Sequence, residues 1–189
     1  MLNFLTSFFL YSVGVQSIIL LATIYGKTEI GLSTSSLILT IIVIQLVGIL
    51  GAYLFSRLAK RIGNLTALKI TIFIWTAASL SAYYLDKDDP NVQLKFYVIS
   101  GFIGLVLGAI QTLSRSTYSK LLPENTLDPT TYFSFFDVTE KIAIVWGTFI
   151  FGLAIAITDS MRLSILLLCL FFVISFIILS MMKKTKYVK

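Results

Sequence analysis

The sequence predicts an all-α, polytopic membrane protein that crosses the bilayer six times. Of its 189 residues, 57% are apolar and only 13% are charged, a balance that excludes an ordinary soluble surface. The mean hydropathy of +0.93 points the same way. The apolar residues also fall into six blocks, each long enough to supply the ~20 helical residues that cross a hydrocarbon core of about 30 Å. These blocks run over 5–25, 35–55, 65–85, 96–116, 133–157 and 163–182, and make one six-helix membrane domain of 1–189.

The first span lacks a basic n-region and is too long to be the apolar part of a signal peptide, so it stays as a span. It carries Tyr11, Ser12, Gln16 and Ser17, with Gly14 allowing a close approach or a bend. The second offers Gln45 beside the small-residue notches Gly48 and Gly51. A glutamine in a span bonds a neighbouring helix or faces a polar pathway, and both readings stay open for Gln16 and Gln45. The third, with Trp75 and Tyr83–Tyr84 toward one end, reads as a support helix anchored at the interface. In the fourth, Gly101, Gly104 and Gly108 fall within about 60° of arc at 100° per residue, which makes a groove for a close-packed helix. The same span also carries Gln111. The sixth is nearly all Leu, Ile and Phe, so it reads as lipid-facing, with Lys183 and Lys184 anchoring its end.

Charge distribution sets the expected topology. Arg57, Lys60, Arg61, Lys69, Arg115, Lys120, Lys183, Lys184, Lys186 and Lys189 fall on one side, ten in all, against Lys27, Lys87, Lys95 and Arg162 on the other. By the positive-inside rule both termini face the cytoplasm, and a bacterial source would place the protein in the plasma membrane. The net charge of +6 reflects these loops; there is no basic groove interleaved with aromatics of the kind that binds nucleic acid. Histidine is absent and Cys169 is the sole cysteine, so the sequence offers no thiolate metal site, disulfide framework, serine–histidine pair or His–Glu metal motif. It points to no enzyme, metal or cofactor. An ion channel is disfavoured too, because neither a carbonyl-type filter nor a repeated acidic ring is visible.

One cluster of charges stands inside the spans. Arg115 is expected near the inner boundary of the fourth, Asp137 near that of the fifth, and Glu140 and Lys141 about one turn deeper. A charge at the middle of a span costs roughly 2.5–3.5 kcal/mol on insertion scales, so three charges within five residues make a poor lipid face. Asp137 and Lys141, spaced i and i+4, can pair along one helix face, and Arg115 is a second partner for the carboxylates. The cluster is either a helix start favoured by the positive dipole end or a gate around a closed or water-filled interior.

The runs GLVLGAIQTLSRSTYSKLLPE, YFSFFDVTEKIAIVWGTFIFGL and TDSMRLSILLL closely resemble the second half of the UMF1/Atg22-like branch of the major facilitator superfamily (MFS). The N-terminal FFLYSVGVQSIILLATIYG is similar to that family's seventh span, so the resemblance covers essentially the whole chain. It implies one half of an MFS-type fold: the C-terminal six helices of a secondary transporter that moves a small solute, amino acids being the class implied, by alternating access. Tyr11, Gln16, Gln45 and Gln111 are then candidate pathway groups, and Arg115, Asp137, Glu140 and Lys141 candidate gate residues. The implied partners are the lipid bilayer, the solute, and a second six-helix half supplied by another chain or another copy. The loop containing Ser56, Arg57, Lys60, Arg61 and Gly63 resembles the superfamily motif G-x-L-A-D-R-x-G, with Ser56 for its first glycine and Lys60 for its aspartate. Val13 stands where the family often has an acid, and Glu140 where a small residue is more usual. Val13 and Lys60 motivate the alternative expectation, a non-transporting or truncated half-transporter that serves only as a membrane assembly subunit.

Overall fold

The computed structural model describes residues 1–123 and 128–182. Among the described residues six helices follow one another: α1 (Leu2–Thr28), α2 (Thr34–Ile62), α3 (Asn64–Tyr83), α4 (Val92–Leu121), α5 (Pro129–Thr158) and α6 (Met161–Met181). Each is long and apolar enough to cross a bilayer, and the chain is an integral, multi-pass membrane protein. The helices overrun most of the apolar blocks. Both α4 and α5 have 30 residues, about 45 Å at 1.5 Å per residue, against a core of about 30 Å. Hydropathy marks the part of a helix that lipid covers, whereas its ends are set by caps. Ser33 accepts a hydrogen bond from Ser36 N at the start of α2, and Asp128 accepts from Thr131 N ahead of Pro129 at the start of α5.

A single residue, Gly63, both ends α2 and begins α3 at φ +88°, a backbone conformation that a side chain would strain. Asn64 beside it is buried; its Nδ2 donates to Ser116 Oγ (2.8 Å) and its Oδ1 accepts from Lys120 Nζ (3.1 Å), which ties this reversal to the end of α4. In the loop resembling the superfamily motif, Arg57 lies over the Tyr53 ring at 4.4 Å, and Lys60 and Arg61 are exposed. Lys183, Lys184, Lys186 and Lys189, used in the topology expectation, lie outside the described residues.

The six helices form two groups. In one, α4 packs mainly on α2 and α3; in the other, α1 packs mainly on α6 and α5; the α3–α6 contact joins them. The α2–α4 seam is nearly backbone against backbone. A Cβ at Gly104 would stand 2.6 Å from the Ile44 carbonyl oxygen, and one at Gly51 or Gly108 would come closer still to the backbone of Leu105 or Gly48. Gly101 shares their helical arc, yet its missing Cβ would meet nothing within 4 Å. The close-packing groove therefore consists of Gly104 and Gly108 without Gly101.

Two expectations for the supporting helices are corrected. Trp75 is not at an interface: it is 0% exposed and stacks on Phe172 of α6, with ring centroids 5.8 Å apart. Nor is α6 simply a lipid-facing helix. Its Ser164, Leu168, Phe172, Ser175 and Leu179 are buried, and the Phe172 ring fills the notch left by Gly14 of α1. Both helices present one face to lipid and one to protein, a division that average hydropathy hides because lipid and a protein core are equally apolar.

Candidate functional site

An open cavity of about 140 Å³ lies where the two helix groups meet, walled by α1, α4 and α5. Phe8, Tyr11, Ser12, Val15 and Gln16 contribute from α1, Ile110, Gln111, Ser114 and Arg115 from α4, and Phe136 and Glu140 from α5. The helical period explains the grouping. On α1 the lining positions 8, 11, 12, 15 and 16 recur at three- and four-residue steps, and so do 136 and 140 on α5.

Polar groups join the walls across this seam. Ser114 Oγ donates to the Ile110 carbonyl, and having a single proton it must accept from Tyr11 Oη, 2.6 Å away. Gln16 Nε2 donates to Glu140 Oε1 at 3.0 Å. Arg115 Nη2 donates to Asp137 Oδ1 at 2.8 Å, and its guanidinium lies over the Phe136 ring at 5.6 Å. Along its helix, Arg115 is about 9 Å from the end of α4, while Asp137 is about 12 Å from the start of α5, so consecutive helices of opposite direction carry the two at similar depth. Glu140 is about 16 Å from that start, well inside the hydrocarbon region if the helix is centred on it.

At the end of the bundle where α1 begins, the cavity gives way to an aromatic cluster. Phe8 and Phe136 stack at 4.0 Å, Tyr118 lies 4.9 Å from Phe136, and Phe4 stacks on both Phe8 and Tyr118. Tyr118 also donates its hydroxyl to the Tyr132 carbonyl across the α4–α5 connection (3.0 Å). The half-exposed Arg115–Asp137 pair thus lies beside these rings, and Glu140 lies in the wall of the cavity.

The residues expected at the site divide accordingly. Tyr11, Gln16, Gln111, Arg115 and Glu140 line the cavity, and Asp137 joins it through Arg115. Gln45 is exposed on α2 and does not line it. Lys141 is exposed and, among the described residues, makes no ion pair; Asp137 takes Arg115 instead of the same-helix lysine. Sequence reasoning missed Ser114 as the partner of Tyr11, 103 positions away, and missed the rings of Phe8 and Phe136. Ser114 stands in the polar segment before Pro123, but nothing local distinguishes it from Ser116 or Ser119. Among the described residues no group of three or more His, Cys, Asp or Glu gathers as a metal site would require.

Comparison with known proteins gives a consistent set of relatives. The model of a family described as "Vacuole effluxer Atg22 like" matches residues 1–188. The "Uncharacterized MFS-type transporter YxiO" of Bacillus subtilis (strain 168) is 29% identical over 177 residues, covering 94% of this chain and 40% of that protein. The protein named "Autophagy-related protein 22" from Vanderwaltozyma polyspora is 32% identical over 171 residues, covering 87% of this chain and 32% of its own length. Its namesake in Kluyveromyces lactis is 29% identical over 178 residues, with 91% and 36% covered. The chain thus spans about a third to two fifths of the length of these curated relatives. Neither the family description nor these names denote an enzyme.

Proposed function

The chain belongs to the Atg22-like vacuole effluxer family of MFS-type membrane proteins, and from that premise we propose that it is the C-terminal six-helix half of a secondary-active transporter. In this reading a small solute crosses the membrane by alternating access, held between this half and a second six-helix half. The observation that carries the reading is the cavity lined by Tyr11, Gln16, Gln111, Arg115 and Glu140, which gathers charged and amide groups where the buried polar residues elsewhere in the bundle are serines, threonines and Asn64. Intramembrane ionisable groups are costly, and they are kept where they face a solute or a water-filled path.

Arg115 and Asp137 act as the gate. They pair across the seam between the two helix groups, beside the aromatic cluster, so parting α4 from α5 breaks the ion pair and unstacks Arg115 from Phe136. Lys141, exposed one position past Glu140, belongs to the face that meets the second half or the bilayer. Both termini are cytoplasmic by the charge distribution, and in a bacterial cell the membrane is the plasma membrane. The second half covers the side of α5 that shows Val138, Val145, Trp146 and Phe149. Amino acids are the first solutes to assay, as the family resemblance implies.

The test is solute flux in proteoliposomes that hold this chain together with a six-helix partner half. Flux is expected with the native sequence and is expected to be lost with Asp137→Asn, which keeps the shape of the side chain and removes its charge. Unchanged flux in that variant refutes the gate.

A further inference from the structure

The cavity holds one charge that no group among the described residues neutralises, and this bears on what the cavity selects. Arg115 and Asp137 cancel each other in an ion pair at 2.8 Å. Glu140 remains. Its Oε1 accepts from the neutral amide of Gln16, and among the described residues its Oε2 has no hydrogen bond and neither oxygen has a cation. Lys141 is the next residue, but it projects about 100° away around α5, is exposed, and does not line the cavity. The facing groups on α1 and α4, namely Tyr11, Ser12, Gln16, Gln111 and Ser114, carry no charge, and Arg115 is engaged. A carboxylate this deep in a span calls for a partner, and among the described residues the one it has is an amide.

We propose that Glu140 is a specificity-determining residue that receives the protonated nitrogen of an organic cation. This rests on the reading of the cavity as a solute pathway and narrows the solute class. Three features favour an organic ammonium over other occupants. The net charge of the lining with its Arg115–Asp137 pair is negative, which repels anions and favours a solute that presents an ammonium, as amino acids and amines both do. Hard metal ions take about six or more oxygen ligands, and one carboxylate with scattered hydroxyls and amides falls short of that. The stacked Phe8 and Phe136 rings, with Val15 and Ile110, offer apolar wall for a hydrocarbon body while Glu140, Gln16 and Gln111 meet the charged head.

An equilibrium measurement separates this proposal from transport itself. The protein in nanodiscs of zwitterionic lipid is titrated with phenethylammonium, 2-phenylethanol and phenylacetate, probes of similar shape and different charge, and its melting temperature is followed. The native protein is expected to be stabilised by phenethylammonium at a concentration at least tenfold below that needed for either other probe. Glu140→Gln is expected to level the cation with the alcohol, whereas Glu140→Asp, which keeps the charge on a shorter arm, keeps the preference. No cation preference in the native protein, or an undiminished one in Glu140→Gln, overturns the proposal. Absence of flux in the assembled transporter would refute the transport reading and leave this binding result standing.

Discussion

Replacing Gly104 by alanine should separate α2 from α4, and the geometry says by how much. The added Cβ would stand 2.6 Å from the Ile44 carbonyl oxygen and 2.9 Å from its Cα, both backbone atoms of a helix that cannot rotate away. Carbon–oxygen contact at about 3.4 Å requires the helices to part by roughly 0.8 Å along that line. A radial gap of about 0.5–1 Å forfeits a quarter to a half of each dispersion contact. In a bilayer no hydrophobic term compensates, because lipid tails are as apolar as the helix surface. Overpacking of this kind costs about 1–3 kcal/mol. For a chain of this size, 2 kcal/mol corresponds to a fall in melting temperature of about 4–8 °C on the scale of soluble domains. Gly101→Ala is the internal control. It lies three residues earlier on the same helix, its Cβ would meet nothing within 4 Å, and its melting temperature should be unchanged or slightly raised by the better helix former. Thermal unfolding in nanodiscs, followed by fluorescence of Trp75 and Trp146, compares the two. Equal losses in both variants, or none in Gly104→Ala, would refute the reasoning.

Other expectations follow from other contacts. Phe172→Ala removes a fully buried ring that fills the Gly14 notch and stacks on Trp75, so it should cost about 3–5 kcal/mol, read as a lowered melting temperature with a shifted Trp75 emission. Ser7 and Ser175 clasp α1 to α6, each hydroxyl donating to the other's carbonyl at 3.0–3.1 Å. A double-mutant cycle to alanine should give a coupling of about 0.6–1.7 kcal/mol, the range for such bonds within a bilayer. Asp89, in the loop between α3 and α4, has its carboxyl held below the usual carboxylate range, first by a hydrogen bond from Lys95 and then by the Asn91 backbone. Its contribution is present above the ordinary carboxylate pKa and fades as pH falls through the lower folded value. Acid titration followed by NMR of that carboxyl should show the depressed midpoint, and Lys95→Met should raise it.

The sequence carries the six spans because their signal is the sum of many residues, while single residues read less well. Gln16, Gln45 and Gln111 announce themselves equally as polar groups in oil, yet Gln16 and Gln111 line the cavity and Gln45 does not. A polar side chain in a span reports that it needs company; which face it occupies depends on partners far along the chain. Trp75 misleads for a related reason. Aromatic residues favour interfaces on average, but here Gly14 admits Phe172, and the indole stacks on that ring in the interior. Asp137 is poised between two cations, and spacing favours Lys141 as much as Arg115. The deciding fact is that α1, which packs on α5 and touches α4, brings the two helices within reach of one ion pair, and no local pattern encodes it.

The clasp between α1 and α6 has a consequence for assembly. The first of these six helices owes much of its buried face to the last, across 168 positions of sequence, and α3 likewise waits for α6 to cover Trp75. During synthesis, α1 to α5 must therefore enter the bilayer with an open berth, holding Ser7 and the Gly14 notch against lipid until Phe172 and Ser175 arrive. Helices α2 and α4 need no such wait, since their glycine seam closes as soon as α4 is made. A chain ending before Met161 should keep that seam and lose the berth's occupant, which makes α6 the keystone of packing after insertion.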